Sequence, residues 1–141
     1  QNRLDKGFTI IQTVILAELD GLNSPNANGH LPLNELDPCQ LNENYFKHVE
    51  EVVALAEEMG LYLALLPTWG DKYNKKWGTG PEIFTPKNAG TFGELLAKRF
   101  AKYPHLVWVL GGDRAPEEQE DEEIIEQMAL ESPVMKTFPT Y

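Results

Sequence analysis

The chain has 141 residues, enough for one domain with a hydrophobic core, and its 42% apolar and 24% charged content are those of an ordinary globular protein. A formal net charge of −10 argues against nucleic acid and against an anionic membrane as partners, and leaves room for a neutral ligand such as a sugar. Cys39 is the single cysteine, which excludes an internal disulfide, and no apolar run approaches membrane-spanning length.

Gln1 to Gly7 reads as the last turns of a helix closing on a C-cap glycine, which implies that the domain begins earlier than Gln1. Phe8 to Leu16 is rich in β-branched and aromatic residues and predicts the first strand. It runs into Ala17-Glu18-Leu19-Asp20-Gly21, two carboxylates just past a strand end, and then into a long polar loop punctuated by Pro25, Gly29, Pro32 and Pro38. Loops of that length inside a compact domain usually carry function. Tyr45, Val49, Val52, Ala56 and Met59 then recur at helical spacing, with Asn42 or Asn44 as N-cap and Gly60 as stop.

Leu61 to Leu66 is a second unbroken apolar run, expected to be a buried strand, and it opens into Pro67-Thr68-Trp69-Gly70-Asp71-Lys72. The loop continues past Tyr73 and Trp77 to Phe84, and Lys72, Lys75 and Lys76 read there as a small solvated basic patch. Thr85-Pro86 opens a second helix with Phe92, Leu95, Leu96, Phe100 and Tyr103 as its apolar stripe, ended by Pro104. Leu106 to Leu110 is a third buried strand, followed by Gly111-Gly112-Asp113-Arg114 and by Pro116, placed where a first helical turn accepts it. Glu117, Glu118, Glu120, Asp121, Glu122 and Glu123 then read as the solvated face of a helix whose inward side is Ile124, Ile125 and Met128. After Ser132-Pro133 the tail from Val134 to Tyr141 resembles the start of another strand.

The order strand–helix, three times over, with near-continuous apolar strands predicts an α/β fold with a parallel sheet and right-handed crossovers. The loops leaving the strands are long and those returning from the helices are short, the habit of (β/α)8 enzymes. Three strands cannot close a barrel that takes roughly 250 residues, so the chain is expected to be part of a TIM (β/α)8 barrel.

All three strand exits would place polar groups on one rim: Glu18, Asp20, Asp71 and Asp113 as carboxylates, Trp69, Tyr73 and Trp77 as aromatics. Sugar hydrolysis needs carboxylates to donate a proton and to attack or activate water, and flat aromatic faces to stack on sugar rings. Each residue also has a plainer use: the tryptophans in packing, Glu18 and Asp20 in turns or caps, and Asp113 as a helix cap with Arg114 neutralising it. His30, His48 and His105 show no metal-ligand spacing, and nucleotide-binding fingerprints are absent, so no cofactor is expected.

Five stretches taken together resemble the apiosidase-like family of bacterial (β/α)8 glycoside hydrolases. They are Lys6 to Gln12, Leu16 to Leu22, Leu66 to Lys72, Trp77 to Phe84 and Trp108 to Arg114. The resemblance implies a retaining glycosidase acting in plant-type polysaccharide breakdown, with Asp113 as proton donor and a glutamate nucleophile from a later strand not present here. From their places at the strand exits Glu18, Asp20, Trp69, Asp71, Trp77 and Arg114 are expected to contact the carbohydrate, and the resemblance implies that the source is a bacterium that secretes the protein or holds it in the periplasm. On this reading residues 1–141 are part of one catalytic domain, truncated at both ends, covering barrel strands two to four, with 133–141 an unassigned tail. The family's first-strand segment is missing, and the isolated chain is expected to be inactive. A non-catalytic carbohydrate-binding module remains an alternative. So does a fragment that self-associates into a homo-oligomer through its exposed sheet edges.

Overall fold

The computed structural model describes residues 1–75, 78–112 and 115–130. A short helix α1 (Asn2–Asp5) precedes strand β1 (Ile10–Leu16). Helix α2 (Glu43–Glu58), strand β2 (Tyr62–Thr68), helix α3 (Pro86–Phe100), strand β3 (Leu106–Trp108) and helix α4 (Gln119–Leu130) follow. The three strands form one sheet in the order β1-β2-β3, and both pairings are parallel. Ile11 pairs with Leu63 and Thr13 with Leu65, while Leu63 and Leu65 pair with Leu106 and Trp108 on the other side.

This register sorts the strand residues onto two faces, because side chains alternate along a strand. Ile11, Ile15, Leu63, Leu65, Leu106 and Trp108 join the core beneath the helices. Gln12, Val14, Ala64, Leu66 and Val107 alternate with them, on the side that faces the interior when such units close into a barrel. From the helix side Phe46, Val53 and Ala56 of α2 and Ala89, Phe92, Leu96 and Phe100 of α3 complete the core. Phe92 meets Phe84 at 5.3 Å between ring centroids, and Phe100 meets Trp108 edge-on at 6.0 Å.

Local chemistry sets the boundaries. Asn42 is the N-cap of α2, its side chain accepting from the Asn44 N–H, and Gly60 leaves the helix at φ 69°. Thr85 and Asn88 form a reciprocal capping box around Pro86, the first residue of α3. Gly93 makes room for α4: a Cβ there would collide with the Met128 carbonyl.

Some expectations need correction. Val52 is 44% exposed, because the buried stripe of α2 runs through Phe46, Val49, Val53 and Ala56, one position round from the expected one. Strand β2 continues through Pro67 to Thr68, since Trp69 N–H still bonds the Leu16 carbonyl. Helix α4 starts at Gln119, beyond Pro116, and Asp121 is turned inward out of the acidic run. The strand expected between Val134 and Tyr141 lies outside the described residues.

Candidate active site

Each strand gives way at its C-terminal end to a long connection: 17–42 after β1, 69–85 after β2 and 109–118 after β3. The sheet is parallel, so all three leave from the same rim. At that rim a cavity of about 320 Å³ is lined by Gln12, Thr13, Val14 and Leu66 from the strands and by Ala17, Glu18 and Trp69 from the exits. Glu18 is exposed and Trp69 is half-buried, so a carboxylate and an indole both border a floor of mixed polar and apolar strand residues.

The other candidate residues are placed differently. Asp20 is fully exposed and closes its own turn, accepting from Asn23 Nδ2 at 3.1 Å and Ser24 Oγ at 3.0 Å. These bonds, the Asn23 one first, hold its carboxyl below the usual aspartate range. Asp71 lies beneath the rim in a single 3₁₀ turn (Gly70–Lys72), with no exposed surface. Asp113, Arg114 and Trp77 lie outside the described residues.

The largest departure from the sequence reading is Lys72, which is fully buried and no part of a solvated patch. Its ammonium donates to the Leu19 carbonyl at 2.9 Å, to Asp71 Oδ2 at 2.9 Å and to the Gly80 carbonyl at 3.1 Å. Asp71 Oδ2 also accepts the Gly80 N–H at 3.3 Å, and a Cβ on Gly78 would collide with the Asp71 side chain. A buried charge needs a counter-charge and hydrogen bonds; the pair supplies the first, and Lys72 has three acceptors while Asp71 is bonded through Oδ2 alone. One point therefore ties together the exit of β1, the exit of β2 and the return segment at Gly80. The adjacent Asp-Lys pair directly after a strand was the only signal in the sequence, and charge alone reads as surface.

A second brace joins the exits of β2 and β3. Tyr73 hydroxyl donates to the Gly111 carbonyl at 2.8 Å, and Asn74 Nδ2 donates to Asp121 Oδ2 at 2.8 Å. The same Asp121 oxygen accepts the N–H groups of Glu117 and Glu118, so Asp121 caps the approach to α4. Gly111 and Gly112 both adopt positive φ, 84° and 70°, and Gly112 lies so close to Gly70 that a Cβ would sit 3.4 Å from the Gly70 nitrogen. The glycine pair thus brings the β3 exit against Trp69, and Asp113 is the next residue along the chain.

Away from the rim, His105 Nε2 lies 3.0 Å from the Val53 carbonyl and pins the start of β3 to α2, a structural use. Among the described residues no cluster of His, Cys, Asp or Glu could hold a metal ion, and no helix is long and apolar enough to cross a membrane.

The fold and rim can be set beside known proteins. A crystal structure of a glycoside hydrolase family 5 protein from Bacteroides vulgatus superposes with a TM-score of 0.76 at 20% identity, covering 94% of this chain and 28% of that one. A second structure, described as a glycoside hydrolase, gives a TM-score of 0.73 at 20% identity, covering 93% of this chain and 28% of that one. A glycoside hydrolase family 5 enzyme from Prevotella bryantii gives a TM-score of 0.56 at 15% identity, covering 92% of this chain and 37% of that one. The chain therefore spans about 28% of the length of the first two, and its three βα units are part of a barrel. No curated protein sequence matches it. The model of the apiosidase-like catalytic domain matches residues 1–137, nearly the whole chain, and this protein belongs to that family.

Proposed function

We propose that this chain is the proton-donor segment of a retaining glycoside hydrolase that cleaves O-glycosidic bonds in plant-type polysaccharides. The observation that carries the reading is the cavity that Glu18 and Trp69 both line at the strand exits; Asp113 directly follows the Gly111-Gly112 exit of β3 in sequence. In the proposed mechanism the substrate ring stacks on Trp69 while Glu18 accepts hydrogen bonds from its hydroxyls. Trp77 and Arg114 complete the contacts, and Asp20 serves through the turn it closes. Asp71 acts from below, holding Lys72. Asp113 protonates the leaving oxygen as a second carboxylate, from a strand outside this chain, attacks the anomeric carbon; a retaining pair stands about 5–5.5 Å apart. The chain alone then shows no turnover, and the bacterium secretes the whole enzyme or keeps it in the periplasm.

The test is Asp113→Asn in the full-length protein, assayed on polysaccharide and on aryl glycosides. Loss of a general acid is worth roughly 10²–10⁴-fold on a natural glycoside and much less where the leaving group needs little protonation. Full activity of the variant on polysaccharide, with no dependence on the leaving group, removes Asp113 from the mechanism.

A further inference from the structure

Leu19 is the second residue of a turn that the Gly21 N–H closes on the Glu18 carbonyl at 3.2 Å, and it combines three features. It adopts the left-handed region at φ 56°, a conformation that bulky residues avoid. Its side chain is 59% exposed, so its own burial does not repay that strain. And its carbonyl is gripped by the buried Lys72 ammonium at 2.9 Å, which holds the peptide in place from below. A glycine or asparagine would fit this backbone with less strain. Strained residues held by their surroundings gather at functional sites. Leu19 directly follows Glu18, whose side chain lines the rim cavity.

We propose that Leu19 is a substrate-binding residue, an aliphatic wall for the apolar C–H face of a sugar ring, displayed by Lys72 beside the polar contacts of Glu18. The inference rests on the glycosidase reading and adds a specificity element to it. Sugar rings carry hydroxyls at their edges and C–H groups on their faces, so a site that recognises them needs both kinds of surface. Glu18 supplies the first and Trp69 and Leu19 the second. The Lys72 bond uses only the backbone of Leu19, so changing the side chain leaves the clamp in place.

The experiment uses the full-length protein with Leu19→Gly and Leu19→Asn, both of which tolerate positive φ, and Asp113→Asn alongside. Binding is read as retardation in native gels cast with pectin, xylan or xyloglucan, hydrolysis as release of reducing sugar, and stability as melting temperature. The expected result is that both Leu19 variants melt at or above the wild-type temperature while binding weakens roughly threefold to tenfold, the scale set by one or two buried methylenes. Asp113→Asn should keep the retardation and lose hydrolysis. A lower melting temperature in both Leu19 variants makes Leu19 a packing residue and overturns the proposal. Unchanged retardation overturns it too, while leaving the glycosidase reading intact. If the wild type is neither retarded by these polymers nor able to cleave them, the glycosidase reading fails, and this inference fails with it.

Discussion

Replacing Lys72 by methionine keeps an unbranched four-atom stem and deletes the ammonium. Asp71 would then stay buried without its counter-charge, and its Oδ1 already has no partner among the described residues. The carbonyls of Leu19 and Gly80 would lose their shared donor. Breaking a buried ion pair from one side costs about 3–5 kcal/mol, because the remaining charge is left in a poorly solvating interior. An exposed pair at the same 2.9 Å distance would cost less than about 1 kcal/mol. Urea denaturation of the full-length protein separates the two cases through the midpoint and slope. The companion variant Asp71→Leu with Lys72→Met removes both charges, and should recover a substantial part of the loss, showing coupling between the two positions. A loss below about 1 kcal/mol for Lys72→Met, or simple additivity in the double variant, would refute the claim that this pair holds the rim together.

Two further outcomes are expected. Gly93→Ala should destabilise by about 1–3 kcal/mol, since the new methyl meets the Met128 carbonyl and forces α3 and α4 apart; an unchanged denaturation midpoint would contradict the packing. Asp20 and Asp37 are held below the ordinary aspartate value of 3.8 by their turn bonds, from Asn23 and Ser24 in the first case and from Cys39 N–H and Gln40 in the second. A lowered folded value means that these bonds support their loops above the ordinary value and are lost as pH falls through the lowered one. Carboxyl carbon shifts in NMR should therefore show both residues titrating below 3.8, and the loops should loosen only in that acid range; a midpoint at or above 3.8 speaks against the turn geometry.

Much of the architecture was legible because burial leaves compositional marks. β-Branched and aromatic richness identified the first strand and unbroken apolar runs the other two, the last of which ends at Trp108 and not at Leu110, and Thr85-Pro86 and Gly60 marked helix ends through their backbone chemistry. The candidate site was less legible, since its support lies in contacts between residues distant in sequence. Nothing near Lys72 announces that the carbonyl of Leu19, 53 positions earlier, will accept its hydrogen bond. Nor does Tyr73 reveal its bond to Gly111, 38 positions later. Val52 misled because it and Val53 both fit a helical period, and the tilt of α2 on the sheet decides between neighbours. Asp121 was hidden by company: five surrounding glutamates make one inward-facing acid look like the rest.

That last residue has a consequence for how freely this surface can change. Asp121 carries the structural duty of the acidic segment, anchoring Asn74 and the two backbone N–H groups that lead into α4. The exposed side chains of Glu118, Glu120, Glu122 and Glu123 are therefore released from it. Their charges can be neutralised or reversed to retune solubility or attraction to a charged polymer without touching the frame of the rim. A single anchoring position amid exchangeable neighbours lets the chain adjust its outer electrostatics step by step while the approach to α4 stays tied to Asn74.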